Sequence, residues 1–324
     1  MRAATYDRMG PAAEVLIVRD IPTPSPGPGE VLVRIVVSAI NPTDVKGRSG
    51  ATPRVVDGYQ VPHMDGAGVI EAVGAGVPVD RVGERVWLLL AAAGNRWGTA
   101  AEYAVVPADR ARFLPDSASF ELGATLGVPA VTAAHCLLGD GPIDGHHVLV
   151  AGGAGAVGRF AIEIGRWSGA AVATTVSGPG KAAIASAAGA DLVVNYRESG
   201  ALEQLQAWFP HVDRIVELAL GSNLDLDLSV SAPGTTIVTY AADGSDPVLP
   251  IRRCMMTGVT LKFMLLYAVP PAAFAAAVGT VEAALGAGAL TLPPVIRYPL
   301  EEIVAAQLAQ EAGPAGRVLV DITP

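Results

Sequence analysis

The run His147-Val148-Leu149-Val150-Ala151-Gly152-Gly153-Ala154-Gly155-Ala156-Val157-Gly158, continued by Arg159 to Trp167, decides the architecture of this chain. Its first five residues read as a buried strand, and the residues from Val157 to Trp167 as a helix. Between them stands Gly153-x-Gly155-x-x-Gly158, and each glycine has a physical task. Gly153 permits the tight turn. Gly155 lets the backbone approach a pyrophosphate with no Cβ in the way. Gly158 lets the helix pack close to the strand. The helix start then offers unpaired N–H groups and a positive dipole end to phosphate. Such a turn means little by itself in a chain with 37 glycines. The strand before it and the helix after it make it a dinucleotide site.

Outward from this turn, strands and helices alternate. Ala171 to Val176 reads as a strand, Lys181 to Ala188 as a helix, and Asp191 to Asn195, Arg214 to Leu218 and Thr235 to Tyr240 as further strands. That alternation predicts a parallel sheet covered by helices. NAD sites place an acidic residue at the end of the second strand to accept from the ribose 2′-OH. Here no acidic residue occurs between Glu163 and Asp191, and Ser177 and Lys181 fall where a 2′-phosphate needs a donor and a cation. The preference expected is NADPH.

Upstream, the first third reads as β-rich. Glu14 to Val18, Val31 to Val37, Gly68 to Val73, Arg85 to Leu88 and Glu102 to Val106 are apolar runs broken by glycine and proline, with no helix-period run to compete. Ser119-Phe120-Glu121 reads as a helix start, with a capping residue and an early acid. From about Leu265 the chain returns to helix and strand, ending in Gly316 to Val320.

Length and composition agree with a globular protein of two domains: 324 residues, 51% hydrophobic and 16% charged. A net charge of −9 without any basic stripe excludes a protein built mainly to hold nucleic acid. Two distant cysteines, Cys136 and Cys254, make no disulfide framework and no zinc knuckle, and suit a reducing cytoplasm. The N-terminus lacks the apolar core of a signal peptide. Phe263 to Val281 carries no charge, but Pro270-Pro271 interrupts it. A helix beginning near Pro271 is expected there rather than a membrane span.

Further segments carry a resemblance. The opening Met1-Arg2-Ala3, Asn41-Pro42-Thr43-Asp44 with Arg48-Ser49-Gly50, Asp65 to Gly74, Gly83-Glu84-Arg85-Val86, Ala101-Glu102-Tyr103 and Asn195-Tyr196-Arg197-Glu198 together resemble the zinc-independent quinone oxidoreductases of the medium-chain dehydrogenase/reductase superfamily, the zeta-crystallin group. The resemblance covers nearly the whole chain. It implies an α/β fold: a Rossmann nucleotide-binding domain over 125–264, and a β-rich GroES-like catalytic domain over 1–124, completed by 265–324. It also implies contacts. Gly155, Ala156 and Val157 would lie on the pyrophosphate. Ser177, Lys181 and Tyr196 would surround the 2′-phosphate. Asn41 and Thr132 would lie near the nicotinamide, and Tyr240 with Phe263 to Leu265 would line the cofactor cleft. Relatives pair through edge strands of the nucleotide sheet, and Thr260 to Leu266 is the candidate edge for a homodimer.

The alcohol dehydrogenases of that superfamily carry a catalytic zinc. At the corresponding positions this chain has Asn41, Met64 followed by Asp65, and Val128, and the four-cysteine structural loop is missing. No metal is expected. Without a Lewis acid, alkoxide chemistry loses its usual support, whereas a quinone or conjugated carbonyl spreads its own charge. The activity expected is hydride transfer from NADPH to a quinone or similar acceptor. The alternatives are an enone or enoyl-thioester reductase, and a non-catalytic NADPH-binding protein of crystallin type. Many relatives have a tyrosine where this chain has Thr52, so no proton donor is assigned; Tyr59 reads as loop packing. His63 reads either as a bulky loop residue or as part of the substrate mouth.

Overall fold

The computed structural model describes residues 1–52, 56–242, 244 and 246–322. They fall into two compact units, Met1–Val128 with the chain from Leu292, and Pro129–Thr291. In chain order the elements are β1 (Arg2–Thr5), α1 (Ala12–Val15), β2 (Ile17–Asp20), β3 (Glu30–Ala39), α2 (Pro42–Ser49), β4 (Asp65–Val73), β5 (Arg85–Leu88), β6 (Tyr103–Pro107) and β7 (Ala111–Phe113). Then come α3 (Phe120–Leu138), β8 (His147–Ala151), α4 (Ala156–Trp167), β9 (Ala171–Val176), α5 (Pro179–Ala187), β10 (Leu192–Asn195), α6 (Ala201–Trp208), β11 (Val212–Glu217), α7 (Leu220–Val230) and β12 (Ser231–Thr239). The last are α8 (Ile251–Thr257), β13 (Thr260–Phe263), α9 (Pro271–Gly286), β14 (Val295–Pro299), α10 (Ile303–Glu311) and β15 (Arg317–Asp321).

The first unit is β-rich. Its larger sheet runs β14-β15-β3-β4-β5-β7, with β6 also paired to β3, beside the small antiparallel pair β1-β2. The core between them is aliphatic, from Val31, Val33 and Ile35 to Val318 and Val320, with Tyr6 also buried in it. The second unit holds a six-stranded sheet in the order β10-β9-β8-β11-β12-β13, every pairing parallel. Parallel strands require crossovers, and the helices between successive strands supply them.

Two local readings are corrected. Glu14 to Val18 is not one strand: α1 covers Ala12–Val15 and β2 begins at Ile17. Pro11 presets the backbone, its carbonyl accepts from the Glu14 and Val15 N–H groups, and Ala12 and Val15 share the buried side. The first third also holds an unforeseen helix, α2. Pro42 opens it, and the Asp44 carboxylate accepts from the Asn41 N–H at 2.7 Å, one half of a capping box.

The stretch Phe263 to Val281 divides as its prolines suggest: β13 ends at Phe263 and α9 begins at Pro271. Among the described residues one helix is long and apolar enough to cross a membrane, α3, and most of its apolar window is buried inside the protein. The return to the first unit comes at Leu292, not near Leu265. The reason is α9, which packs on α4, and Thr291, whose hydroxyl donates to Glu163 of α4 at 2.5 Å.

Candidate cofactor and active site

The strand order places a topological switch point between β8 and β11, where successive crossovers leave in opposite directions. In open parallel sheets ligands bind outside the carboxyl ends of the strands at this point. The glycine turn occupies it, joining the end of β8 to the start of α4.

The three glycines are unequal. A Cβ on Gly158 would lie 2.3 Å from the Gly152 carbonyl oxygen and 2.9 Å from the Gly153 Cα, both backbone atoms. One on Gly153 would lie 2.1 Å from the Thr174 hydroxyl, which is itself held by the Val150 carbonyl at 2.7 Å. At Gly155 a Cβ meets only the Gly152 oxygen, at 3.2 Å. So Gly153 and Gly158 are required by the fold, while the space beyond Gly155 is open. Gly155 is the N-cap of α4 and has no side chain to cap it. Among the described residues the N–H groups of Ala156, Val157 and Gly158 find no acceptor. Unpaired donors at the start of a twelve-residue helix fit an anion such as a pyrophosphate.

Several other residues singled out from the sequence follow or end strands at the same carboxyl edge. Ser177 follows β9, and Lys181 stands exposed in the first turn of α5. Neither side chain is tied into a hydrogen bond or ion pair among the described residues. Tyr196 follows β10, exposed, with the Arg197 guanidinium 5.9 Å from its ring centre. Tyr240 follows β12, and burial pushes its phenol above the usual range. Phe263 ends β13 and Leu265 follows it, both exposed. Thr132 is buried in the part of α3 that belongs to this unit.

Sequence reading missed a buried acid pair at the same edge. Glu217 ends β11 and accepts from the Leu218 N–H at 2.7 Å, from the Ala219 N–H, and from Asn223 Nδ2 at 3.0 Å. Burial and the Glu217 charge push the Asp227 carboxyl well above its usual range. The pair braces the turn after β11, whose Leu218 lies 2.4 Å from where a Gly152 Cβ would be. Ten residues separate the two acids, and no motif joins them.

The first unit holds a second constellation. Asn41 Nδ2 donates to Asp65 Oδ2 at 2.7 Å, and the Val128 N–H donates to the same oxygen at 2.8 Å. Asp65 Oδ1, equally buried, has no partner among the described residues. Burial therefore pushes the Asp65 carboxyl up to about 6, although the buried Arg317 guanidinium, Asn41 and Val128 draw it down. This predicts a pH effect. An unfolded aspartate ionises near pH 4, while Asp65 in the folded chain keeps its proton until about pH 6. Its contribution to stability is present below the first value and lost as pH rises through the second. Asp65→Asn keeps an acceptor for both donors and cannot titrate. The variant should gain about 3 kcal/mol on the wild type between roughly pH 4 and 7. Urea unfolding across that range checks it, and a constant gap would refute it.

Beside Asp65 runs a directed chain of hydrogen bonds. Thr99 Oγ1 donates to the Asp65 carbonyl at 2.6 Å, so it accepts from Ser38 Oγ at 2.7 Å. Ser38 has then spent its proton and accepts from His63 Nδ1 at 2.8 Å. His63 Nε2 in turn accepts from Gln307 Nε2 at 2.9 Å, and Gln307 Oε1 accepts from Arg48 Nε at 3.3 Å. Arg48 also pairs with Glu311. Every member's sense follows from its neighbour, which fixes the His63 tautomer. Burial lowers His63 to about 3, so it stays neutral. His63 is thus a buried hub, 1% exposed, and not a residue at a mouth. Tyr59 lies between the Arg19 and Arg96 guanidinium groups, each 5.0 Å from its ring centre, and edge-on to Trp97. Thr52 is exposed.

Residues 27–116 match the family model described as alcohol dehydrogenase GroES-like domain, and residues 156–283 the one described as zinc-binding dehydrogenase. The quinone oxidoreductase of Lama guanicoe is 29% identical over 327 residues, 99% of this chain and 97% of that protein. A mycobacterial structure complexed with NADPH is 28% identical, with a TM-score of 0.83 over 99% of both chains. An NAD-dependent alcohol dehydrogenase is 26% identical, with a TM-score of 0.88 over 100% of both. The two domain types, the full-length relatives and the dinucleotide edge agree: this chain belongs to the medium-chain dehydrogenase/reductase superfamily, as an oxidoreductase of its quinone oxidoreductase group.

Proposed function

We propose that the chain is an NADPH-dependent reductase that delivers hydride to a quinone or a similarly conjugated acceptor without zinc. The observation that carries this reading is the uncapped start of α4 at the switch point, flanked by Ser177 and Lys181 with no carboxylate after β9. NADPH, when bound, supplies the hydride. The chain's own residues do the rest. The N–H groups of Ala156, Val157 and Gly158 hold the pyrophosphate. Ser177 donates to the 2′-phosphate, Lys181 neutralises it, and Tyr196 flanks it. Asn41, held by Asp65, and Thr132 serve the nicotinamide end. The proton comes from water, since Thr52 replaces the family's tyrosine.

The donors at the positions where alcohol dehydrogenases hold zinc favour chemistry without it. Asn41 is spent on Asp65, Met64 offers a buried thioether, and both His63 nitrogens are engaged. Such a set lacks the converging Cys, His and carboxylate ligands of a catalytic zinc site.

Oxidation of NADPH, followed at 340 nm across quinones, enones and enoyl thioesters and repeated with NADH, tests the proposal. Turnover of quinones with NADPH is expected. Turnover of enones alone would transfer the activity to a C=C reductase, and binding without any oxidation would make the chain a non-catalytic holder of NADPH. Lys181→Ala should weaken NADPH about tenfold and leave NADH unchanged, because only the former carries the 2′-phosphate. Equal losses for both would contradict that role.

We infer a homodimer in the cytoplasm, and the same unit supports the pairing. β13 is an edge strand, and Ile251, Met255, Met256, Phe263 and Leu265 are large, apolar and exposed. Unpaired edges with apolar neighbours invite a second copy. Light scattering should return twice the chain mass of 33.0 kDa; the single mass would refute the dimer.

A further inference from the structure

At the amino end of the nucleotide sheet, opposite the cofactor edge, β8 and β11 bring three ligating side chains together. His211 immediately precedes β11 and Asp213 is its second residue, and their side chains meet there. The parallel register sets Arg214 against Val148, which places Asp213 beside His147 on the neighbouring strand. One ligand atom from each of the three lies within 4.8 Å of the others. His211 Nε2 is 3.2 Å from Asp213 Oδ1, and His147 Nδ1 is 3.9 Å from Asp213 Oδ2. Two ligands on one tetrahedral ion lie about 3.4 Å apart, so small side-chain rotations close the set.

The surroundings prepare it. The Asp213 carboxylate accepts from the His147 N–H at 2.7 Å, and the His147 ring leans on Phe209 with centres 4.9 Å apart. His147 Nδ1 is buried without a hydrogen-bond partner among the described residues. A buried imidazole nitrogen left unpaired is costly, and a metal ion is one partner that satisfies it. The sequence suggested no metal because His147 and the His211/Asp213 pair are far apart in the chain and match no ligand spacing.

We propose that His147, His211 and Asp213 form a binding site for a divalent transition ion of borderline softness, such as Zn²⁺ or Co²⁺. Two imidazoles and one carboxylate suit these ions and leave a position for water. The ion would tie β8 to β11, the two strands that flank the switch point, and so act on stability rather than on hydride transfer. The site is separate from the zinc positions of the alcohol dehydrogenases.

The test uses full-length protein without a histidine tag, stripped with chelator. Titration with Co²⁺ should give the visible absorption of a nitrogen- and oxygen-bound ion at one equivalent. Saturating Zn²⁺ should raise the Tm by about 3 °C. His147→Ala and His211→Ala should each abolish both signals, and Asp213→Asn should weaken them. His146→Ala, just before β8 and outside the three-residue set, should leave them intact. A Co²⁺ spectrum identical to the free ion, or signals that survive in His147→Ala and His211→Ala, would overturn the proposal. Melting of the metal-free variants establishes that they are folded.

Discussion

Gly158→Ala is expected to abolish NADPH binding and to lower stability by about 3 kcal/mol, whereas Gly155→Val should abolish binding and leave stability nearly unchanged. The difference rests on what each new side chain meets. At Gly158 the added carbon falls 2.3 Å from a backbone oxygen and 2.9 Å from two backbone carbons. None of these can rotate away, so α4 must move off β8, and the three free N–H groups move with it. At Gly155 the backbone is extended, at φ −76° and ψ 167°, a conformation that any residue adopts. Its added atoms extend into the space before the helix, where a pyrophosphate must approach. Loss there is steric exclusion of ligand alone, and the Kd for NADPH should rise at least 100-fold, worth about 2.8 kcal/mol. Thermal melting with fluorescence titration of NADPH separates the two. If Gly155→Val binds NADPH as the wild type does, the phosphates are not held by this turn.

His63→Ala should cost about 3 kcal/mol, because it strands two buried groups at once. Ser38 Oγ loses its donor, and Gln307 Nε2 loses its acceptor, and both side chains are fully buried. The backbone adds a second effect. His63 has φ +80°, a left-handed conformation rare for a residue with a Cβ. Alanine keeps that strain and forfeits the bonds, while glycine removes the strain. His63→Gly should therefore be less damaging than His63→Ala by about 1 kcal/mol. Urea unfolding measures both. If the two variants unfold together with the wild type, the hydrogen-bond chain contributes nothing to stability.

What could be read from the sequence was what is written locally. The glycine turn, its strand and its helix lie within the 21 residues from His147 to Trp167, and periodicity with three glycines specifies their geometry. The absence of an acid after β9 is likewise visible by position. The Thr99–Ser38–His63–Gln307–Arg48 chain was not visible. His63 and Gln307 are 244 residues apart and meet only because α10 returns to the unit that β4 built. Taken alone, His63 resembled any polar loop residue. Glu217 with Asp227, and His147 with His211 and Asp213, were hidden for the same reason: strand pairing and burial, not spacing, bring them together. The misread at Glu14 to Val18 had the opposite origin. A five-residue run with four apolar residues carries too little period to separate one helical turn from a strand, and Pro11 decided it.

Hydride transfer from bound NADPH is decided by a single-turnover experiment. One equivalent of NADPH is bound to the protein, a soluble quinone is added by rapid mixing, and absorbance at 340 nm is followed alongside NADPH fluorescence. Complete, stoichiometric loss of both signals with formation of hydroquinone is expected, and none of this in Gly155→Val. Bound NADPH that stays reduced in the presence of quinones and enones alike would contradict it.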